Sequence, residues 1–184
     1  MKNIWRMALL ALLSGIPAGC LSGVQVREAA ERQAAERRAT DWQPEVILTL
    51  AQAESILGEK ARLSESAAYL QNAVRTYAST YQANSPDRAS GKTGALYFML
   101  EEYPDVAAAT VGYAGIWDGN KAHEGIQQLA DLGDQAYFHS DGSHFLFVLA
   151  RKGRQMIRLK VNKITSQTSK DAFMDISRAL TEAL

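Results

Sequence analysis

Residues 134–161 constrain this chain more than any other stretch. Segments 135–139 and 144–151 flank Asp141-Gly142, a dipeptide that favours tight hairpin turns because both residues tolerate positive φ. Arg151-Lys152-Gly153-Arg154 turns the chain again, and 155–161 alternates apolar and polar residues as a third strand does. In the middle segment Phe145, Phe147 and Leu149 oppose Leu146 and Val148, so both faces are apolar. Such a strand needs cover on both sides, which places it inside a sheet between two layers. Phe173, Ile176, Leu180 and Leu184 recur at helical spacing after the cap-like run Thr168-Ser169-Lys170-Asp171 and supply one layer.

Upstream, Thr49-Leu50-Ala51-Gln52 has the pattern of a capping box, with Leu50, Ala53 and Leu57 on one helical face and Gly58 as the stop. Residues 72–82 alternate as a strand: Arg75, Tyr77, Ser79 and Tyr81 fall on one side, Val74, Thr76, Ala78 and Thr80 on the other. Its Ala-rich lead-in is compatible with helix. Residues 84–94 are loop by composition, and 95–102 reads as a strand pairing back onto the previous one. Pro104 suits a first helical turn, after which Val106, Ala109, Tyr113 and Trp117 point to the core. The expected fold is α+β: an antiparallel sheet of about five strands packed between helices.

The N-terminus has a different grammar. Lys2 and Arg6 precede a short apolar run from 7 to 13, then Gly15-Ile16-Pro17-Ala18-Gly19, and then Cys20, the single cysteine of 184 residues. A basic start, a short greasy middle and small residues at the exit make a secretory signal, since a bilayer span needs roughly 20 apolar residues. Residues 24–40 are dense in Ala, Arg, Glu and Gln, with Glu28–Arg32 and Arg32–Glu36 four apart and few large apolar side chains. That composition suits a charged helical tether. The organisation is therefore a signal over 1–19, an anchor and spacer over 20–41, and one domain over 42–184. Lys2 and Arg6 fall in the signal, so the remainder has 18 basic against 20 acidic residues. That balance gives no reason to expect nucleic acid.

Two resemblances follow from these residues. Cys20 after Ala18-Gly19 resembles the processing site of bacterial lipoproteins, although Pro17 stands where that family usually has Leu. The likeness implies removal of 1–19, covalent lipid such as palmitate on Cys20, and attachment to the cell envelope. With Leu21 and Ser22 in place of Asp, it implies the outer membrane facing the periplasm. Leu48 to Gly58, Gly133-Asp134-Gln135-Ala136-Tyr137-Phe138 and Arg151-Lys152-Gly153 resemble uncharacterised bacterial lipoproteins with a PsbP-like α+β domain. That group implies helices on both faces of an antiparallel sheet and carries over no catalytic residues.

Three sets of residues are candidates for chemistry or recognition. His139 and His144 flank the Asp141-Gly142 turn; with a two-residue loop they stand opposite one another, and His123 and Asp141 are available to complete a metal site. The alternative is that they are solvated turn residues. Arg151, Lys152, Arg154, Arg158, Lys160 and Lys163 contain no acid among them, and Arg154, Arg158 and Lys160 are expected on one strand face. They suit an anionic partner, or else charge protecting an edge strand. Tyr97, Tyr113, Trp117 and Phe147 offer either a pocket for a small apolar ligand or plain core. Gly91-Lys92-Thr93 lacks the upstream glycine of a phosphate loop, which falls at Pro86, and no Gly-x-Ser-x-Gly elbow is present.

The resulting expectation is a lipid-anchored envelope protein, a binding or interaction module rather than an enzyme, meeting the membrane through its lipid and an envelope protein or ligand through its domain. No cofactor is expected beyond that lipid. A metal-binding protein or metal-dependent enzyme using His139 and His144, and a carrier of small apolar ligands, are the alternatives.

Overall fold

Thr49 starts the first helix as its spacing predicts: its hydroxyl accepts from the Gln52 amide at 3.2 Å, and the Gln52 side chain accepts from the Thr49 amide at 2.9 Å. The structure, a computed structural model, describes Pro44 and residues 47–184. The signal, Cys20, the spacer to 41 and the first domain residues Trp42 and Gln43 lie outside the described residues. Helix α1 (Leu50–Leu57) is followed by β1 (Ala61–Gln71), β2 (Val74–Ala83), β3 (Ala95–Glu102), α2 (Val106–Asn120), β4 (Ile126–Gln128), β5 (Gln135–Ser140), β6 (Phe145–Lys152), β7 (Gln155–Asn162) and α3 (Lys170–Glu182). The fold is α+β. The strands form one open sheet in the order β1-β2-β3-β7-β6-β5-β4, and every neighbouring pair is antiparallel.

The sheet has seven strands rather than about five. One addition, β1, is the Ala-rich lead-in; the other, β4, is three residues long. Both lie at edges, where pairing to a single neighbour forms a strand from residues that carry little apolar patterning of their own. The sequence places the later meander correctly, with β6 between β5 and β7. On β6, Val148, Leu149 and Ala150 are each fully buried, so both faces are covered. One face carries Leu96, Phe98, Leu100, Ile157 and Leu159 under α1 and α3, which contributes Phe173. The other carries Tyr137, Leu149 and Met156 against Tyr113 of α2. Both layers exclude water from large side chains, each worth roughly 1.5–3 kcal/mol when fully buried.

Chain ends and turns obey the same logic. Gly58 closes α1 at φ 71, and a Cβ there would lie 2.0 Å from the Gln167 carbonyl oxygen, so glycine is required twice over. Ser169 caps α3 by accepting from the Ala172 amide at 3.1 Å. Pro104 sits just outside α2: Asp105 is the cap, accepting from the Ala108 amide at 2.8 Å. Along α2, Ala109 and Tyr113 are buried as expected, whereas Val106 is 52% exposed. The 84–94 loop is fastened by Asp87, which accepts from the Ser90 hydroxyl at 2.6 Å and the Ser166 hydroxyl at 2.7 Å. It thereby ties the connection after β2 to the one after β7.

Candidate functional site

Antiparallel register sorts side chains into rows across the sheet, since directly opposed residues share a face. On the α2 face one row runs Thr80, Tyr97, Lys160, Phe147, His139 and Ile126 through β2, β3, β7, β6, β5 and β4. The adjacent row toward the sheet end contains Gln82, Ala95, Asn162 and Phe145. Together they set aromatic rings around a cation. The Lys160 ammonium lies 5.8 Å from the Phe145 ring centroid, and the His139 ring meets Phe145 edge-on at 4.8 Å. Tyr97 is 40% exposed beside it. No acidic residue lies in the Tyr97–Phe147 stretch of the row.

The six expected cations meet different fates, Lys163 lying just past β7 at φ 67. Arg151 is 6% exposed and donates to Asp134 at 3.0 Å, Gln135 at 2.8 Å and the Gly153 carbonyl at 2.8 Å. Arg154 lies in the β6–β7 turn and pairs with buried Glu102, which also takes Arg75 at 2.9 Å. Arg158 pairs with Glu101 at 2.7 Å. Lys152 donates to the Glu182 carbonyl at the end of α3. Arg158 and Lys160 do share a face, but Arg154 is not on the strand. Strand β7 is no edge: it lies between β3 and β6, which excludes edge protection as the reason for its charge. The strip expected over 151–163 is thus divided by local pairing, and of its strand members Lys160 alone has neither a carboxylate nor a carbonyl partner among the described residues.

His139 and His144 are not opposed. The loop is longer than two residues: Ser140 pairs with Leu146, and His139 pairs with Phe147. His139 instead meets the Glu124 carbonyl through Nε2 at 3.1 Å and has the His123 ring 5.9 Å away. His144 belongs to the loop, with Nδ1 2.7 Å from Asp141. The amides of His144 and Ser143, at 2.8 and 3.0 Å, hold the Asp141 carboxyl well below its usual range. The four residues considered for metal therefore divide into two pairs. Among the described residues no group of three or more His, Cys, Asp or Glu is placed to hold a metal ion.

The aromatic candidates are brought together, with one exception. Tyr113, Trp117 and Phe147 each pack on Tyr137, with centroids 6.3, 5.4 and 5.7 Å away. Tyr97 stays outside. Tyr137 is 1% exposed and fills the centre of the group, so these rings occupy the layer between α2 and the sheet themselves. Burial first and then the neighbouring Tyr137 push the Tyr113 hydroxyl up to about 12, with the Arg151 charge opposing. Tyr137 is the residue that pattern reading passed over, although Ala136-Tyr137-Phe138 has the continuous apolar character of a buried strand.

The chain matches no family model, no curated protein and no solved structure.

Proposed function

We propose that this chain is a lipid-anchored protein of the cell envelope, outer-membrane facing the periplasm, whose PsbP-like domain recognises a partner without catalysis. The basis for the anchor is Cys20 behind Ala18-Gly19 and a short apolar run. The basis for the PsbP-like reading is an antiparallel sheet with α1 and α3 on one face and α2 on the other. Recognition is assigned to the Tyr97–Lys160–Phe145 face. The observation that carries it is the exposed Lys160, held among aromatic rings while Arg151, Arg154 and Arg158 are all neutralised. Tyrosine and an exposed cation set against aromatic rings suit a partner that offers an anionic group on an apolar edge. Attachment to the bilayer raises the local concentration of both partners.

Two measurements test the halves separately. Metabolic labelling with an alkyne fatty acid should mark the parent chain and leave Cys20→Ser unmarked and absent from membranes. Labelling that survives Cys20→Ser defeats the anchor. Capture from detergent-extracted envelopes should return a stoichiometric partner with the parent chain, released by salt and lost in Lys160→Gln. A copurifying metal or lipid in its place would select one of the alternatives.

A further inference from the structure

The two edges of the sheet are unequal. Strand β4 presents three residues, whereas β1 presents eleven, Ala61–Gln71, with a neighbour on one side only among the described residues. An edge of that length displays a row of outward N–H and C=O groups, and natural sheets usually blunt it with lysine, proline or charge. Strand β1 has neither lysine nor proline. Its charges, Arg62 and Glu65, lie at the start, and 66–71 reads Ser-Ala-Ala-Tyr-Leu-Gln. Helix α1 guards that start: Glu54 accepts from the Ala61 amide at 3.2 Å and from Lys60 at 2.9 Å. The far half has no such guard among the described contacts, and residues 64–67 and 69 are exposed.

Two local features frame the unguarded stretch. The pairing with β2 slips between Leu63 and Glu65, a bulge at Ser64. At the other end Asn72 and Ala73 form the turn, at φ 51 and 63. Between them, Glu65 to Gln71 run in unbroken register against β2, and Ala68 is the midpoint.

We propose that β1 is a self-association edge: two copies of this chain pair β1 to β1, antiparallel, about a twofold axis at Ala68, joining their sheets into one. Opposed residues in such a pairing must share a face. Ser66, Ala68 and Leu70 share one face and Glu65, Ala67, Tyr69 and Gln71 the other, because their β2 partners alternate. A twofold at Ala68 respects this along the whole stretch. It sets Ala67 opposite Tyr69 of the second copy, Ser66 opposite Leu70, and Glu65 opposite Gln71. Tyr69 and Leu70 each face a small side chain, and Glu65 meets an amide rather than its own copy. The stretch is thus complementary to itself in side-chain size and opposes no like charges, which is why the occupant is a second copy and not an unrelated strand.

The test is sedimentation of the purified full chain in mild detergent, with disulfide trapping beside it. A concentration-dependent dimer is expected. Ala68→Lys, which opposes two ammonium groups at the axis, should raise its dissociation constant at least tenfold without altering the circular dichroism spectrum. Ala68→Cys should form a disulfide-linked dimer above the background set by the parent chain, which retains Cys20. Asp118→Cys, on α2, should not. A monomer at every concentration overturns the proposal. So does a dimer indifferent to Ala68→Lys, or the absence of trapping at position 68. If Ala68→Lys fails to fold, trapping at 68 decides alone.

Discussion

Strands β6 and β1 belong to one sheet yet obey different rules. On β6, residues 146 and 148–151 are buried and both faces are covered by helix, so side chains hold the strand in place. On β1 no residue after Ala61 is buried, and what holds it is a backbone ladder to β2 with a few side-chain bonds such as Ser64 to the Thr80 carbonyl at 3.0 Å. One end of the sheet is built by burial and the other by pairing. Burial resists change and specifies a single partner layer, whereas pairing leaves a face and an edge free to meet something else. The β1 edge is such a surface, whereas the Tyr97–Lys160–Phe145 face is a patch on the covered strands β3, β7 and β6.

The sharpest way to break this contrast is to cut equal side chains from the two regions. Leu149→Ala on β6 removes a fully buried side chain and should cost about 3 kcal/mol, within the range of cavity-forming leucine deletions. Leu63→Ala on β1, where the leucine is 49% exposed, should cost under about 1 kcal/mol. Denaturant unfolding measures both. Equal losses would show that β1 is packed as firmly as β6.

The second test concerns polar holding at the end of β6. Arg151 is 6% exposed and joins Asp134, Gln135 and the Gly153 carbonyl, so it ties the entry to β5 to the β6–β7 turn. Arg151→Met keeps length and removes those bonds. A loss of about 2–3 kcal/mol is expected, because the Gly153 carbonyl and Gln135 lose a charged donor. An unchanged unfolding midpoint would mean that packing alone secures this end.

Asp87 links the two regions, since it reaches from the loop after β2 to Ser166 after β7. The hydroxyls of Ser90 and Ser166, in that order, hold its carboxyl well below the ordinary 3.8. The folded form therefore favours the ionised group. That stabilisation is present above pH 3.8 and is lost as pH falls through the lowered folded value. We predict that the parent loses stability more steeply than Asp87→Asn below pH 3.8, and that the variant is the weaker of the two at neutral pH. Parallel acid limbs would show that the latch carries no charge-dependent stability.

The same division explains what the sequence reveals. The meander and α3 are legible because apolar periodicity is the imprint of burial, and Phe173 and Leu180 are buried as their spacing predicts. The capping box at Thr49 is legible because the motif and its bonds involve residues three apart. Strand β1 leaves little imprint: Ser-Glu-Ser-Ala-Ala is stabilised by a partner, and a partner is not encoded in local pattern. The candidate site fared unevenly for a related reason. Lys160 beside aromatic rings follows from register, which alternation along β6 and β7 supplies. The pairing of Arg154 with Glu102, or of Arg158 with Glu101, depends on β3 lying next to β7, a non-local fact. His139 and His144 were misplaced because Asp141-Gly142 allows a two-residue turn, and Asp141 uses its carboxylate to hold a longer loop instead.

The smallest effect expected lies in the β1–β2 turn and has the opposite sign. Two-residue turns with positive φ at both positions match the twist of a hairpin, and the second position usually holds glycine. Here it holds Ala73, at φ 63. A Cβ in that region costs about 1–2 kcal/mol, offset by the extra freedom that glycine gives the unfolded chain, about 0.4–1 kcal/mol. Ala73→Gly should therefore stabilise the protein by about 0.5–1 kcal/mol. The turn adjoins the stretch proposed to pair with a second copy, so the variant also separates two effects. If the gain is confined to the hairpin, the dimer dissociation constant should not move. A variant that destabilises would mean that the turn relies on contacts of the Ala73 methyl, and that this end of the sheet is packed after all.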